Sequence, residues 1–416
     1  MKITILTIGS RGDVQPYLAL GVGLQQAGHT VKLTTHELFR DFVTSYGLGF
    51  FPIGVNLQAI IQGSGHDLVE STNPFQALNR LRQALDPVMA ECLEQSWQAC
   101  QDADLVISTG TAFWGDDIAV KLGRGSVFAL LYPMVFTQEI LSPLMPPSLR
   151  LEPGFNGLSH QVINRFYWQI YRASINRWRQ NTLGEAPLGG CPFFGDRWKT
   201  QLKLFGYSSQ VVPFPKDWDQ TCQVTGYWFL DSPRDFAPPP GLMDFLADGD
   251  PPVSIGFGSM ASRSLETTLE IALAALKKEG QRGILLTGWS GVSDPDLPDS
   301  VFKLESVPHD WLFPQMGAIV HHGGAGTTAA ALRSGVPSVV VPFFADQPFW
   351  GDRARQLKVS PTPIPRKQLS VDHLATAIHR AIADRALRQR AGQLGARLRA
   401  EGGVAAAVAA IEASFG

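Results

Sequence analysis

The sequence predicts an α/β protein built from two doubly wound parallel sheets, and three observations predict it. Short β-rich apolar runs alternate with helical periodicity through the first half, and the same alternation restarts at Pro252 after proline-dense chain. At 416 residues the chain also exceeds what one ordinary core fills, so two domains are expected.

Taken in order, Ile3–Ile8 is a short apolar strand, and Val14–Ala27 has helical periodicity closed by Gly28. Thr30–Thr35 is β-rich, Glu37–Tyr46 is helical, and Gly49–Ile53 is a short third strand. Residues 54–75 carry Gly, Asn and Ser with little periodicity and read as a loop near a site. Gln76–Cys100 is a long helical pattern, followed by the strand Asp104–Ser108, a helix at Asp116–Leu122 and the strand Ser126–Leu131. Residues 141–160, rich in Pro, Gly and Leu, break the alternation. Residues 161–183 restore a helix with Ile163, Phe166, Tyr167, Ile170 and Trp178 on one side, interleaved with Arg165, Arg172, Arg177 and Arg179.

Proline-dense segments at Val212–Pro215 and Ala237–Pro240 bracket the expected interdomain linker. From Pro252 the strand Val253–Gly256, the helix Leu265–Lys278 and the strands Gly283–Thr287, Val301–Leu304 and Ala318–Val320 follow, then Ser338–Val341 and a helical end from Val371 to Phe415. We expect an N-terminal domain over 1–230, a linker over 231–251 and a C-terminal domain over 252–395. A last helix, 396–416, is expected to return toward the N-terminal domain.

Hydrophobic content of 44% with 17% charged residues describes a globular protein with ample core. A net charge of −2 gives no reason to expect nucleic acid as a partner. The four cysteines (Cys92, Cys100, Cys191, Cys222) lie far apart without CxxC, which argues against a zinc site or a disulfide framework and for reduced, cytoplasmic thiols. The apolar start is too short for a signal peptide, and no apolar run approaches a membrane span, so any membrane contact is peripheral.

The most informative segment is 319–347. A strand ends in His321 and His322, the turn Gly323-Gly324-Ala325-Gly326 follows, and Thr327 and Thr328 open an alanine-rich helix. Backbone N–H groups and a positive dipole end then face one spot, which suits a phosphate or diphosphate. Tight helix–strand packing is the ordinary use of such glycines; the donors His322, Thr327 and Thr328 tip the reading toward an anion. The neighbours His321 and His322 should point opposite ways at a strand end, so only one reaches the ligand. The spacings G-x-G-x-x-G and G-x-x-x-x-G-K-[ST] are absent, against dehydrogenase and NTPase readings.

Gly256-Phe257-Gly258-Ser259 ends the first strand of the second half, and Ser259 is placed to face the same diphosphate. Asp346 and Gln347 follow the last strand; a carboxylate and an amide there suit the vicinal hydroxyls of a sugar. Ser306 and Val307, before His309-Asp310-Trp311, are placed to border a nucleobase, with Trp311 equally a core residue. In the first half, Ser10, Arg11, Gly12 and Asp13 follow the first strand, where an open α/β sheet places its ligand. Asp13 has an ordinary reading as a helix-start carboxylate, and a chemical one as a general base worth about 10²–10⁴ in rate. No group of Asp, Glu, His or Cys has metal-ligand spacing; helix N-termini, His322 and hydroxyls would neutralise a leaving diphosphate instead.

GSRGDVQP at 9–16, GFGSM at 256–260, VPHDWLF at 307–313, HHGGAGTT at 321–328 and PFFADQ at 342–347 together resemble the UDP-dependent glycosyltransferases of the GT-B fold. The match lies nearest the sterol 3-beta-glucosyltransferase branch and is similar to the glycopeptide-antibiotic glycosyltransferases. It covers nearly the whole chain, most strongly 1–56 and 251–350 and least 54–75 and 140–230. The resemblance implies two Rossmann-like domains facing across a cleft, a nucleotide sugar held mainly by the second, and metal-independent transfer with inversion. It places Asp13 as the base, where plant relatives carry histidine; their helper aspartate falls near Thr109, which is not acidic. By the same resemblance, Ser10, Arg11, Gly12, Ser259, His322, Gly324, Ala325, Gly326, Thr327 and Thr328 face the diphosphate, Asp346 and Gln347 the sugar, and Ser306 and Val307 the base. The plant ribose glutamate falls near Ala330 and the plant stacking tryptophan near Leu304, so recognition of ribose and base departs from that pattern.

The expected function is transfer of a hexose, glucose first, from a UDP-sugar to a hydroxyl of a lipophilic acceptor such as a sterol, with no separate cofactor. TDP as the nucleotide, an epimerase and a non-catalytic nucleotide-sugar-binding protein remain alternatives at this stage. The helix at 161–183 covers its domain as an amphipathic helix, lines a hydrophobic entrance, or rests against anionic headgroups.

Overall fold

A computed structural model describes residues 1–54, 74–149, 154–232, 236–258, 263–287 and 297–416. The expected loop at 54–75 and Ser259 lie outside the described residues, save for Gly54 and the first turn at Pro74. The first sheet holds β1 (Lys2–Leu6), β2 (Thr30–Thr35), β3 (Gly49–Pro52), β4 (Leu105–Thr109), β5 (Gly125–Leu130), β6 (Leu202–Phe205) and β7 (Cys222–Val224). Its order is β3-β2-β1-β4-β5-β6-β7, all parallel. The second holds β8 (Val253–Gly256), β9 (Gly283–Leu286), β10 (Val301–Leu304), β11 (Ala318–His321) and β12 (Ser338–Val340). Its order is β10-β9-β8-β11-β12, again all parallel. In both sheets the strand order reverses beside the central first strand, and ligands bind outside the carboxyl ends at that switch point.

The helices used below are α1 (Arg11–Gln26), α2 (Pro74–Ala99), α3 (Gly115–Leu122), α4 (Asn156–Trp178), α5 (Arg263–Lys278), α6 (Ala325–Ser334), α7 (Gln347–Gln356), α8 (Val371–Ala383), α9 (Arg385–Arg399) and α10 (Gly403–Phe415). Both sheet faces are covered, as parallel sheets require. Ile3 and Ile5 of β1 pack with Leu18 and Leu24 of α1, while Leu6 joins the opposite cluster with Val106 and Trp114. In β11, Ala318 and Val320 face α8 residues such as Leu374 and Ile378, and Ile319 faces Leu312 and Ala331.

Several elements differ from expectation. Helix α1 begins at Arg11, because the Asp13 carboxylate accepts from the Ser10 N–H and so starts the first turn early. Helix α4 begins at Asn156 within the expected break. Strands β6 and β7 were absent from the sequence pattern: β6 carries the buried Lys203, and β7 spans three residues. The prolines at 212–215 do not border a linker, because Val211 and Val212 are buried and Trp218 stacks on Phe205 with ring centroids 4.5 Å apart. Leu242, in the expected linker, is buried with Ile284 and Ile319 of the second sheet.

The two units share apolar packing: Tyr207, Val211 and Tyr227 meet Leu332, Phe349, Trp350 and Ala354 in one cluster. Arg353 of α7 donates from Nε and Nη2 to the Val211 carbonyl at 2.9 and 2.6 Å. Helix α10 returns to the first unit, where Ala407, Val408 and Ile411 pack with Tyr17, Leu20 and Leu24. The outgoing chain at Gly226–Tyr227 and the returning chain at Gly403 lie side by side. A Cβ on Gly403 would stand 2.4 Å from the Tyr227 carbonyl oxygen.

Candidate active site

The first half of the site is the turn between β1 and α1, at its sheet's switch point. The Ser10 backbone N–H and hydroxyl both donate to Asp13 Oδ2, at 2.8 and 2.9 Å. Thr7 Oγ1 donates to the Asp13 carbonyl at 2.7 Å. These bonds fix the carboxylate and leave Oδ1 without a protein partner among the described residues. Gly9 makes the arrangement possible: its φ is +144°, and a Cβ there would stand 2.4 Å from Asp13 Oδ2. Burial raises the Asp13 carboxyl above its ordinary value, opposed by the two Ser10 hydrogen bonds. Asp13 is therefore both the helix-start carboxylate and a stronger proton acceptor than an exposed aspartate.

The second half lies at the switch point of the other sheet. His321 is buried, and its Nδ1 accepts from the Gly323 N–H at 3.0 Å, which holds the turn. Burial, then the neighbouring His322 and His309, push His321 down to about 3. His322 lies between two glycines: a Cβ on Gly324 would stand 2.5 Å from its Nε2, and one on Gly258 3.1 Å from its Cε1. Burial holds His322 down to about 4, so it is a neutral imidazole near pH 7. Its Nδ1 and the Thr328 hydroxyl are buried without a described hydrogen-bond partner, as donors reserved for a ligand would be. Gly324 is the N-cap of α6, so Ala325, Gly326 and Thr327 offer the first free N–H groups of that helix.

Asp346 and Gln347 sit at the start of α7. Trp350 Nε1 donates to Asp346 Oδ2 at 2.7 Å, an i,i+4 contact within one helix. Burial pushes Asp346 up to about 6; the Trp350 hydrogen bond lowers it and the like charge of Asp13 raises it. The two carboxylates therefore feel each other across the cleft. Gln347 Oε1 accepts from the Phe343 and Phe344 N–H groups at 2.8 and 3.3 Å, which shapes the loop and leaves its Nε2 as the donor. Asp346 offers acceptors and Gln347 a donor.

The halves meet at glycine. A Cβ on Gly326 would stand 3.9 Å from the Gly12 Cα, so Gly12 and the α6 N-terminus face each other directly. Arg11 lies over the Phe42 ring at 4.6 Å, with Nη1 3.5 Å from Ser306 Oγ, and so reaches from the first unit to the second. Burial, then the Arg11 cation and His322, push His309 down to about 4. Val307 is buried with Leu304 and Leu312, so only its backbone can meet a base. Trp311 packs edge-on against Phe236 at 5.4 Å, an ordinary structural contact.

The helix at 161–183, one reading of which is the lining of a hydrophobic entrance, brings Tyr167 into an aromatic wall within the field of Asp13 and against Phe113, a partner that sequence reasoning did not find. Tyr167 donates to the Gly110 carbonyl at 2.9 Å, and Phe113 lies 5.6 Å from Tyr167 and 5.8 Å from Tyr171. Burial raises the Tyr132 hydroxyl, with Asp346 and then Asp13 adding to it, so Tyr132 stands in the field of both carboxylates. Tyr167 and Tyr171 stand four residues apart on α4, but Phe113 and Tyr132 come from separate segments with no local signal that links them to that helix. The Asp346–Trp350 pair was findable from its four-residue spacing.

Two family models match the chain: the glycosyltransferase family 28 N-terminal domain over residues 3–118, and the erythromycin biosynthesis protein CIII-like C-terminal domain over 287–412. A sterol 3-beta-glucosyltransferase of Arabidopsis thaliana is 36% identical over 418 residues, covering 98% of this chain and 67% of that protein. One from Emericella nidulans is 36% identical over 433 residues, covering 99% of this chain and 30% of that protein. The chain thus spans about two thirds of the plant relative and under a third of the fungal one. Among solved structures, the calicheamicin glycosyltransferase superposes with a TM-score of 0.71 at 20% identity, covering 99% of this chain and 97% of that one. A glycosyltransferase from Streptomyces nogalater gives 0.65 at 20% identity, covering 100% and 99%. The paired parallel sheets are the GT-B fold of these structures. With that fold, and with this identity along nearly its whole length, the chain belongs to the sterol 3-beta-glucosyltransferase family of glycosyltransferases.

Proposed function

We propose that the protein transfers glucose from UDP-glucose to the 3-beta-hydroxyl of a sterol, with inversion and without a metal. The observation that carries the reading is the Asp13 carboxylate. Its Oδ2 is tied by Ser10 and its Oδ1 is open, opposite the glycine turn and α6 N-terminus of the other unit. The acceptor hydroxyl gives its proton to Asp13 Oδ1 as its oxygen bonds C1 of the sugar. The bond from C1 to the diphosphate oxygen breaks on the opposite face, and UDP leaves with the electron pair.

The N–H groups opening α6, the Thr328 hydroxyl and His322 stabilise the charge that develops on the leaving diphosphate. Arg11 brings a cation to the same place from the first unit. Asp346 and Gln347 Nε2 hold sugar hydroxyls, and Ser306 with the Val307 backbone borders uracil. The wall of Phe113, Tyr167 and Tyr171 suits a flat, apolar ring system as acceptor. Among the described residues no helix is long and apolar enough to cross a membrane, so a sterol is met at the bilayer surface. The four cysteines stand as free thiols, which fits the reducing cytoplasm where UDP-glucose is supplied.

The test is radiolabelled UDP-glucose with a panel of sterols, diacylglycerol, carotenoids and polyphenols, run with wild type and Asp13→Asn. Transfer to sterol with the anomeric configuration inverted is expected, with turnover lower by at least about 10² in the variant and UDP affinity unchanged. A variant with near-normal turnover refutes the base; UDP binding with no transfer to any acceptor refutes the enzyme.

A further inference from the structure

Helix α4 has an outer face that its domain does not use. Phe155, Leu158, Val162 and Phe166 are 58%, 52%, 50% and 52% exposed. Their spacing of three, four and four residues puts them within an arc of about 80° on one helix face. Side chains on the opposite face, such as Trp168, Ile175 and Trp178, are buried in the core. A helix that only covers its domain would turn polar residues outward, and a contiguous apolar stripe marks a contact surface.

Charge selects the partner. Residues 154–184 carry Arg165, Arg172, Arg177 and Arg179 and no Asp or Glu, in a chain whose 37 acidic residues outnumber its 35 basic ones. Arg179 pairs with Asp117, and Arg177 with Asp86 at 3.0 Å. Arg165 and Arg172 are exposed, lie beside the stripe and have no carboxylate partner among the described residues. Arg165 lies over the Phe194 ring at 5.6 Å and keeps its charge free of any described carboxylate, and an apolar stripe flanked by such arginines matches an anionic lipid surface. The same helix reaches the site from its other side: Tyr167 and Tyr171 belong to the aromatic wall, and Tyr167 bonds the Gly110 carbonyl just after β4.

We propose that the stripe Phe155, Leu158, Val162 and Phe166, with Arg165 and Arg172, docks the enzyme on an anionic bilayer. The membrane-borne acceptor then passes along α4 to the aromatic wall and Asp13. The second step rests on the sterol reading above; the docking does not. Docking is read without turnover, by flotation of the full chain with vesicles of phosphatidylcholine alone or mixed with phosphatidylglycerol. The mixed vesicles bind wild type at low salt, and high salt weakens that binding.

Leu158→Ser with Phe166→Ser lowers partitioning at least about tenfold on both vesicles. Arg165→Gln with Arg172→Gln lowers it about tenfold on the anionic ones only. Both variants keep wild-type turnover of a detergent-dispersed sterol, which shows that they are folded, and lose turnover of sterol embedded in vesicles. Wild type that floats with neither vesicle overturns the docking, as do variants that float like wild type. A wild-type dimer in sedimentation that the Leu158 and Phe166 substitutions dissolve also overturns it, since the face is then a protein interface. Wild type that docks yet glucosylates no sterol in detergent refutes the sterol reading and supports the docking.

Discussion

Replacing Asp346 with Asn tests the electrostatics of the cleft against stability. Burial lifts its carboxyl from 3.8 to about 6. A rise of about two units corresponds to about 3 kcal/mol of destabilisation once the group is ionised in both folded and unfolded states. The dipole of α7, whose N-terminus Asp346 occupies, is worth up to about 1 kcal/mol and already opposes that cost. That opposition is already within the net rise, so the uncharged amide gains about 3 kcal/mol. The amide oxygen still accepts from Trp350 Nε1, so the hydrogen bond at 2.7 Å is kept.

The sign with pH follows from the raised value. Below about pH 4 the carboxyl is protonated in both states and the variant gains nothing. Between about pH 4 and 6 the unfolded chain releases the proton first, and the advantage of the variant grows by about 1.4 kcal/mol per pH unit. Above that it is constant. Urea unfolding of wild type and variant at pH 4, 5, 6 and 7 measures it, the histidine contributions cancelling in the difference. A variant equal to or less stable than wild type at pH 7, or an advantage that does not vary with pH, refutes the reasoning. Transfer should fall in the same variant, since the sugar loses a charged acceptor.

Gly9→Ala places a methyl 2.4 Å from Asp13 Oδ2, so the carboxylate must swing away; kcat should fall on the order of 10² with UDP affinity unchanged in titration calorimetry. Gly324→Ala crowds His322 Nε2 at 2.5 Å and should instead weaken UDP binding about tenfold, the loss of one hydrogen bond to a charged group. His309, His321 and His322 are held at about 4, 3 and 4, so the folded state keeps them neutral while the unfolded chain binds protons below about pH 6.5. Stability should therefore fall with acid by about 1.4 kcal/mol per pH unit for each histidine, and His309→Gln should flatten the urea midpoint between pH 6 and 5.

What could be read from the sequence was what local rules determine. Thr30–Thr35, Val253–Gly256 and Val301–Leu304 are strands as expected, because short runs dominated by apolar or β-branched residues favour buried parallel strands even where one polar residue, such as Lys32 or Lys303, interrupts them. The backbone of the 321–328 turn was legible because adjacent glycines before a helix mark a tight turn that other residues cannot follow, as Gly323 does at φ +90°. Strand β6 was not, since its four residues follow the short helix Asp196–Thr200 almost directly; the buried Lys203 ammonium meets the Gln201 carbonyl, Thr221 and the Trp198 ring only in the folded protein. The aromatic wall, the Arg353 clasp on Val211 and the approach of Arg11 to Ser306 join residues far apart in sequence. Such contacts are set by how the two sheets pack, which no local spacing encodes.

The paired crossing at Gly226–Tyr227 and Gly403 has a mechanical consequence. The second unit is an insertion in the first: the chain leaves and returns through adjacent backbones, close enough that a Cβ on Gly403 would overlap the Tyr227 carbonyl oxygen. Two tethers set apart would brace the unit like a bracket, whereas two tethers at one place form a single pivot. Arg353 clasps the Val211 carbonyl across the units, and Tyr207, Val211 and Trp350 share one cluster, so side-chain packing and not the chain connections sets the orientation of the second unit about that pivot.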